Sequence, residues 1–148
     1  MKYSEASLGR VFILRLEDGD VIHETVECFA AEKNISAGLV FLLGGAGKGS
    51  RLVVGPKKPY GARVIPMETF LNNAYEIVGL GTLFKNEEGK IVSHIHVTAG
   101  RRRKAVAGCI RRGVRTWAVA EVIIIELTGS YAKRVKDPET GFELLEPF

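Results

Sequence analysis

Ile91-Val92-Ser93-His94-Ile95-His96-Val97-Thr98-Ala99-Gly100-Arg101-Arg102-Arg103-Lys104-Ala105-Val106-Ala107-Gly108-Cys109-Ile110 is the stretch on which the reading of this chain turns. Its first half alternates. Ile91, Ile95, Val97 and Ala99 fall on one side of a strand, and Val92, His94, His96 and Thr98 on the other. The apolar side must face the core. Val106 and Ile110 are the bulky apolar positions of a returning strand, with Gly108 between them. Opposed residues of an antiparallel pair point to one face, so matching core to core requires paired numbers whose sum is odd. A four-residue turn of Arg101, Arg102, Arg103 and Lys104 meets that condition. It sets Val97 against Gly108, Ile95 against Ile110, and His96 against Cys109.

That register predicts a site. Opposed Cβ atoms stand about 4.5–5.5 Å apart, and same-face neighbours along a strand about 6.5 Å apart. Two imidazoles and a thiolate at such separations can converge on zinc, with Zn–N near about 2.0–2.1 Å and Zn–S near about 2.3 Å. His94, His96 and Cys109 are therefore candidate metal ligands, and zinc the candidate cofactor. A fourth position is open to water, to a neighbouring chain, or to Glu121. That carboxylate shares a strand face with Trp117, Val119, Ile123 and Ile125 and is expected to be partly buried, wanting a partner. The competing reading has the histidines hydrogen-bonded locally on a solvated or interface face, with Cys109 as a small packing residue.

The turn is cationic. Arg101, Arg102, Arg103 and Lys104 are followed by Arg111, Arg112 and Arg115, seven basic residues in fifteen. A cluster of that density can hold phosphates and gives salt-dependent binding. No aromatic residue interrupts it, so base stacking is not indicated. Solubility alone also explains a charged hairpin tip.

Working outward, residues 10–16 form a β-rich apolar run stopped by Glu17-Asp18-Gly19-Asp20. Asp20 is placed to cap a helix, because a carboxylate there accepts from first-turn amides. Ile22, Val26, Phe29 and Ala30 recur at helical spacing over residues 21–33, and Asn34 is a suitable terminator. His23 falls in the first helical turn and reads as exposed or half-packed. After this helix the period becomes that of strands, over residues 37–43, 51–54, 74–84, 91–99, 105–110 and 116–127. One early helix and many short strands predict an α+β domain, with the helix packed on a largely antiparallel sheet. Residues 56–60, with Lys57 and Lys58, read as a loop, and the end of the chain, with two prolines after Lys136, as a possible loose arm.

Other motifs fail. The cluster Gly44-Gly45-Ala46-Gly47-Lys48-Gly49-Ser50 invites a phosphate-loop reading, which needs Gly-x4-Gly-Lys-Ser/Thr. Leu42 stands where the first glycine belongs and Gly49 where the hydroxyl belongs. A glycine-rich turn between strands is the expectation. Neither GxSxG nor HExxH occurs.

Length and composition fit this picture. A chain of 148 residues suits one domain and can bury about 68–70% of its unfolded surface without disulfides. With 46% apolar and 26% charged residues, wholesale disorder is not expected. No apolar run nears the ~18–20 residues that span a bilayer, and no secretory signal is expected at the start. Cys28 and Cys109 share no CxxC spacing, which points to a reducing cytoplasm. A net charge of +4 permits nucleic acid without requiring it. Glutamine is absent, a tendency of proteins from hot environments.

Together these segments resemble the PPC domain, the plant- and prokaryote-conserved domain. The matching pieces are Gly9-Arg10-Val11-Phe12-Ile13-Leu14-Arg15-Leu16, Asp18-Gly19 with the following helix, Gly44-Gly45-Ala46, and Tyr75-Glu76-Ile77-Val78-Gly79-Leu80-Gly81. His94-Ile95-His96-Val97, Ala107-Gly108-Cys109-Ile110 and Ala120-Glu121-Val122-Ile123-Ile124 complete the series. The likeness covers residues 8–127, leaving 128–148 as an extension of the same domain or a loose arm. It implies one helix on an antiparallel sheet, assembled as a homotrimer. Plant members follow AT-hook segments in nuclear proteins and mediate oligomerisation and partner binding, and stand-alone prokaryotic members are described as predicted DNA-binding proteins. This chain departs from the family where Gly-Gly-His-Leu is usual, since Cys109 replaces the third histidine. It also carries Arg101-Arg102-Arg103-Lys104 in place of a polar turn with an acidic residue. No Arg-Gly-Arg-Pro hook for the minor groove is present.

Three functions follow as expectations. The first is a homotrimeric binding module with a DNA-associated or regulatory role, using Arg101, Arg102, Arg103, Lys104, Arg111 and Arg112 around the axis. The second is a metal-dependent enzyme, or a metal-regulated small-ligand binder, centred on His94, His96 and Cys109. The third is a structural oligomer that presents a partner surface.

Overall fold

Burial alternates along nearly every long strand and divides the main sheet into a packed face and an open one. The computed structural model describes residues 1–58 and 64–148. In chain order the elements are β1 (Ser7–Glu17), α1 (Ile22–Glu32), β2 (Ala37–Ala46), β3 (Arg51–Pro56), β4 (Pro66–Phe70), β5 (Tyr75–Lys85), β6 (Ile91–Arg101), β7 (Lys104–Cys109), β8 (Thr116–Thr128), β9 (Lys133–Lys136) and β10 (Glu143–Glu146). Eight strands form one sheet in the order β1-β8-β2-β5-β6-β7-β3-β4, and β9 and β10 form a separate hairpin. Every strand pairing within the two sheets is antiparallel. The expected architecture, one helix on an antiparallel sheet, is the observed one.

The packed face is continuous. Leu16, Val40, Leu42, Leu83, Ile95, Val122 and Ile124 meet Ile22, Val26 and Ala30 of α1 in one core cluster. Helical spacing put those three residues on one side of α1, so the helix closes the face along its length. Truncating a residue such as Ile95 to alanine would cost about 2–5 kcal/mol, through lost transfer energy and the cavity left behind.

Several local expectations need correction. Asp20 does not cap α1: Val21 is the N-cap and no side chain caps it. Asp20 Oδ2 instead accepts from Glu17 N at 2.9 Å, closing the turn, while Ile22 N donates to Val114 O at 3.0 Å. The backbone of a distant loop thus satisfies a donor that the carboxylate was expected to serve. Asn34 does end the helix, at a φ of +56°, with Ile35 N donating to Ala30 O at 2.8 Å. The glycine cluster divides between the end of β2 and a turn. Gly44 is required there, because its φ is +144° and a Cβ would come 2.5 Å from Ala120 Cα.

Three short strands escaped the pattern. β4 is an exposed edge strand that starts at a proline, so it shows no alternation. β9 and β10 follow the main sheet and fold back over one end of its open face, where Phe84, Ala37 and Ala132 make a second small apolar cluster. Of the expected loop at 56–60, Pro56 ends β3, and Pro59 and Tyr60 lie outside the described residues. Among the described residues no helix is long and apolar enough to cross a membrane.

The His-His-Cys cluster and its cavity

The register of the β6–β7 hairpin decides which side chains meet. His96 pairs with Cys109 and Val97 with Gly108, as the alternation required. Ile110 lies just past β7, yet its N–H still donates to Ile95 O at 3.1 Å. The turn is tighter than expected: Arg101 pairs with Lys104, leaving Arg102 and Arg103 at the tip, with Arg102 at a φ of +56°. The parity of the pairing is unchanged, so the faces are unchanged. Gly108 lets β3 approach on the other side, since a Cβ there would come 2.6 Å from Val53 O.

On the open face, His94, His96 and Cys109 bring their ligand atoms within 4.8 Å of one another. The Nε2 atoms of the two histidines are 3.0 Å apart, one ring donating to the other, with the rings at 76°. Two nitrogens sharing a tetrahedral zinc at Zn–N of ~2.0–2.1 Å stand about 3.3 Å apart, so the pair is close to the spacing a metal needs. Cys109 is 4% exposed, and its Sγ accepts from Arg111 Nε at 3.1 Å. Burial first, then the charges of Arg111 and Arg134, holds the His94 pKa below the ordinary imidazole value. Burial, His94 and Arg111 lower that of His96 in the same way. Both rings therefore favour the neutral form that ligates metals. Two borderline nitrogens and one sulfur form a donor set that suits zinc.

The cluster forms part of the wall of a cavity of about 590 Å³. Val53 and Pro56 of β3, Arg111, Arg134 of β9, Phe142 just before β10, and Glu143 and Leu144 of β10 complete much of the lining. Arg134, Phe142 and Glu143 were missed from the sequence. Lys133-Arg134-Val135-Lys136 reads as a charged, solvent-facing strand, and no local signal marks its second residue as buried.

Other candidates lie elsewhere. Glu121 sits on β8, three strands from β6 in the sheet order, or roughly 14 Å at ~4.8 Å per strand. It is exposed rather than partly buried, paired across β1 with Arg15 and across β2 with Leu43. The structure does not bring it to the cluster. Arg102, Arg103 and Lys104 are exposed at the hairpin tip, while Arg101 donates from Nη1 to Ala74 O at 3.0 Å. Arg111 and Arg112 do not join them. They follow the far end of β7, where Arg111 meets Cys109 and Arg112 Nε stands 3.2 Å from Glu68 Oε1. His23 is half-buried, with Nδ1 buried and unpartnered among the described residues.

Beyond the cluster the open face is mostly apolar, with Arg15 and Glu121 as charged exceptions. Ile13, Leu43, Val78 and Leu80 are 84%, 54%, 62% and 58% exposed, and Phe41 and Ile123 lie among them in the ladder. Leu80 pairs directly with His96, so this surface runs up to the cluster.

Residues 3–128 match the Plants and Prokaryotes Conserved (PCC) domain. Among solved structures, the chain is similar to a metal-containing protein from Archaeoglobus fulgidus, at 26% identity over 99% of both chains, with a TM-score of 0.82. A plant- and prokaryote-conserved protein from Pyrococcus horikoshii shares the fold at 22% identity, over 100% of this chain and 99% of that one, with a TM-score of 0.81. So does a candidate DNA-binding protein from Bacteroides thetaiotaomicron, at 18% identity over 95% and 96% of the two chains, with a TM-score of 0.76. No curated protein matches the sequence.

Proposed function

Since the chain belongs to the Plants and Prokaryotes Conserved domain family, we propose that it is a self-associating, metal-binding module that takes a small ligand beside His94, His96 and Cys109. The carrying observation is the convergence of three ligand atoms within 4.8 Å in the wall of a cavity large enough for a small organic molecule. The metal-containing relative supports the reading. A zinc bound there supplies a Lewis-acid centre with an exchangeable fourth position. The chain's own residues do the rest: β6 and β7 set the donors on one face, and Arg111 steers the sulfur. Free thiols at Cys28 and Cys109 accord with a reducing, cytoplasmic setting.

The test is metal analysis of protein purified without chelator and then offered zinc. About one zinc per chain is expected, falling below a tenth of that in His96→Ala. Protein that holds no metal and takes up none overturns the reading.

The apolar open face supports self-association, and we propose the homotrimer implied by the family likeness. Large exposed apolar patches on soluble proteins mark interaction surfaces. Sedimentation equilibrium should give three times the chain mass, and Leu80→Glu with Val78→Glu should give monomer.

A second reading rests on the tip. Arg102, Arg103 and Lys104 make no ion pair among the described residues, and three copies would present nine such cations. Weak phosphate contacts multiplied in this way become useful avidity. A relative of this fold is named as a candidate DNA-binding protein. A gel-shift titration that weakens steeply with salt supports DNA binding, and no shift at low salt removes it.

A further inference from the structure

Arg134 is 5% exposed yet its side chain donates only one hydrogen bond among the described residues, from Nη2 to Thr82 Oγ1 at 2.7 Å. Its Nε is buried with no partner among the described residues. A guanidinium carries five donors and stays charged, so one donor is buried unpaired among the described residues and others are left for solvent or a ligand. The face of Phe84 lies 5.8 Å from its carbon, which packs the group without answering its N–H bonds. Burial and the charge of Arg111 both disfavour the cation, with Glu143 and Cys109 opposing them. Buried groups in this condition are costly unless something else completes them.

The local charge balance tells the same story. Neither Arg111 nor Arg134 forms an ion pair among the described residues. Glu143 is the acidic residue that lines the cavity with them, and its Oε1 accepts from Asn86 Nδ2 at 3.0 Å. Arg112, the third cation of the lining, is paired with Glu68. The two unpaired arginines therefore exceed Glu143 by one positive charge, and a divalent metal on the cluster would enlarge the excess. Both arginines also border a smaller neighbouring cavity of about 210 Å³, together with His94, Glu143 and Glu27, whose Oε1 accepts from Ser93 N and Oγ. The main cavity also has an apolar part to its lining, from Val53, Pro56, Pro66 and Leu144.

We propose that the cavity binds a small organic anion, a carboxylate or phosphate on an apolar body, with the anionic oxygens against Arg134 and Arg111. The fork of donors on Arg134 matches such oxygens, and the apolar wall takes the body. At 5% exposure, Arg134 is too enclosed for a nucleic-acid backbone to reach. The proposal rests on the reading of this cavity as a ligand site, but it does not need the metal.

Isothermal titration calorimetry on the full chain tests it, with octanoate, octyl phosphate and neutral 1-octanol as probes, on zinc-loaded and metal-free protein. At least one anion should bind the metal-free protein at submillimolar concentration, and octanol at least tenfold more weakly. The anion that binds tells carboxylate from phosphate. Arg134→Met should lose binding at least tenfold and Arg134→Lys should recover part of it. Should Arg134→Met fail to fold, Arg111→Gln, also expected to weaken binding at least tenfold, decides. Equal binding of octanol, no binding of either anion, or unchanged binding by the folded variants overturns the proposal. Loss of anion binding with zinc retained would leave the metal reading intact, and anion binding by protein that takes up no zinc would do the reverse.

Discussion

The β6–β7 hairpin carries positive charge at both ends, and the two ends differ in what that charge can do. At the tip, Arg102, Arg103 and Lys104 stand in water, where each cation is hydrated and screened within about 10 Å at 0.1 M salt. At the other end, Arg111 lies on the sulfur of Cys109, and Arg134 is enclosed by β9, β10 and the ring of Phe84. There the charge of Arg134 has lost most of its water and gained few partners, while Arg111 stays exposed to solvent. The tip can attract any polyanion weakly. The enclosed end can choose a small one, because geometry as well as charge must be satisfied.

The largest effect should come from breaking the strand contact that separates the two ends. Gly108→Val drives a side chain into Val53 O, 2.6 Å from where its Cβ must sit. Overpacking typically costs about 1–3 kcal/mol, or a melting temperature lower by roughly 2–12 °C at this size. The proposed zinc binding should fall with it, because β3 forms part of the cavity wall. A melting curve within a degree of wild type would show that β3 does not press on β7.

Neutralising the tip should do the opposite. Replacing Arg102, Arg103 and Lys104 with serine should weaken the proposed DNA binding by roughly tenfold or more and flatten its salt dependence. Stability should move by no more than about 0.5 kcal/mol, the usual range for exposed positions. Unchanged salt dependence in a gel-shift series would remove the tip from any nucleic-acid role.

A smaller change is expected at the enclosed end. Arg134→Met removes a buried cation with one hydrogen bond, so the ligand-free protein should be as stable as wild type, or more stable by about 1 kcal/mol. Urea unfolding measures this. A loss above about 2 kcal/mol would make Arg134 a structural residue.

The smallest effect concerns pH. The pKa values of His94 and His96 are lowered by folding, so below the unfolded histidine value of about 6.5 the unfolded chain binds more protons. This contribution to stability is present above that value and is lost as pH falls through the folded values. The loss in metal-free protein should be under about 1 kcal/mol, because both rings are partly hydrated. Chemical denaturation at pH 7 and pH 5 should show it, and His94→Gln with His96→Gln should flatten the difference.

The legible parts of the fold were those encoded over a few neighbouring residues. Alternation at 91–99 assigned Ile95 and Val97 to the core and His94 and His96 to the other face, and parity then set His96 against Cys109. Helical spacing found α1 with its buried face. The helix cap misled because Asp20 has two local uses, and the tertiary fold supplied Val114 O in its place. Glu121 misled for a related reason. Alternation gives the face of a residue but not its strand's place in the sheet, and β8 lies between β1 and β2, away from β6.

The sequence by itself determined the helix and most strands of the main sheet, their faces and the three donors that meet across β6 and β7, because periods of two and of 3.6 residues are local properties of the backbone. Only the tertiary structure decided that Arg134 and Phe142, from the end of the chain, would roof those donors. It also set Arg111 against the sulfur of Cys109 and buried Arg134 while leaving the tip arginines in water. An arginine is spelled the same in either place, and the segment that packs over it, with the water that segment displaces, decides which kind it becomes.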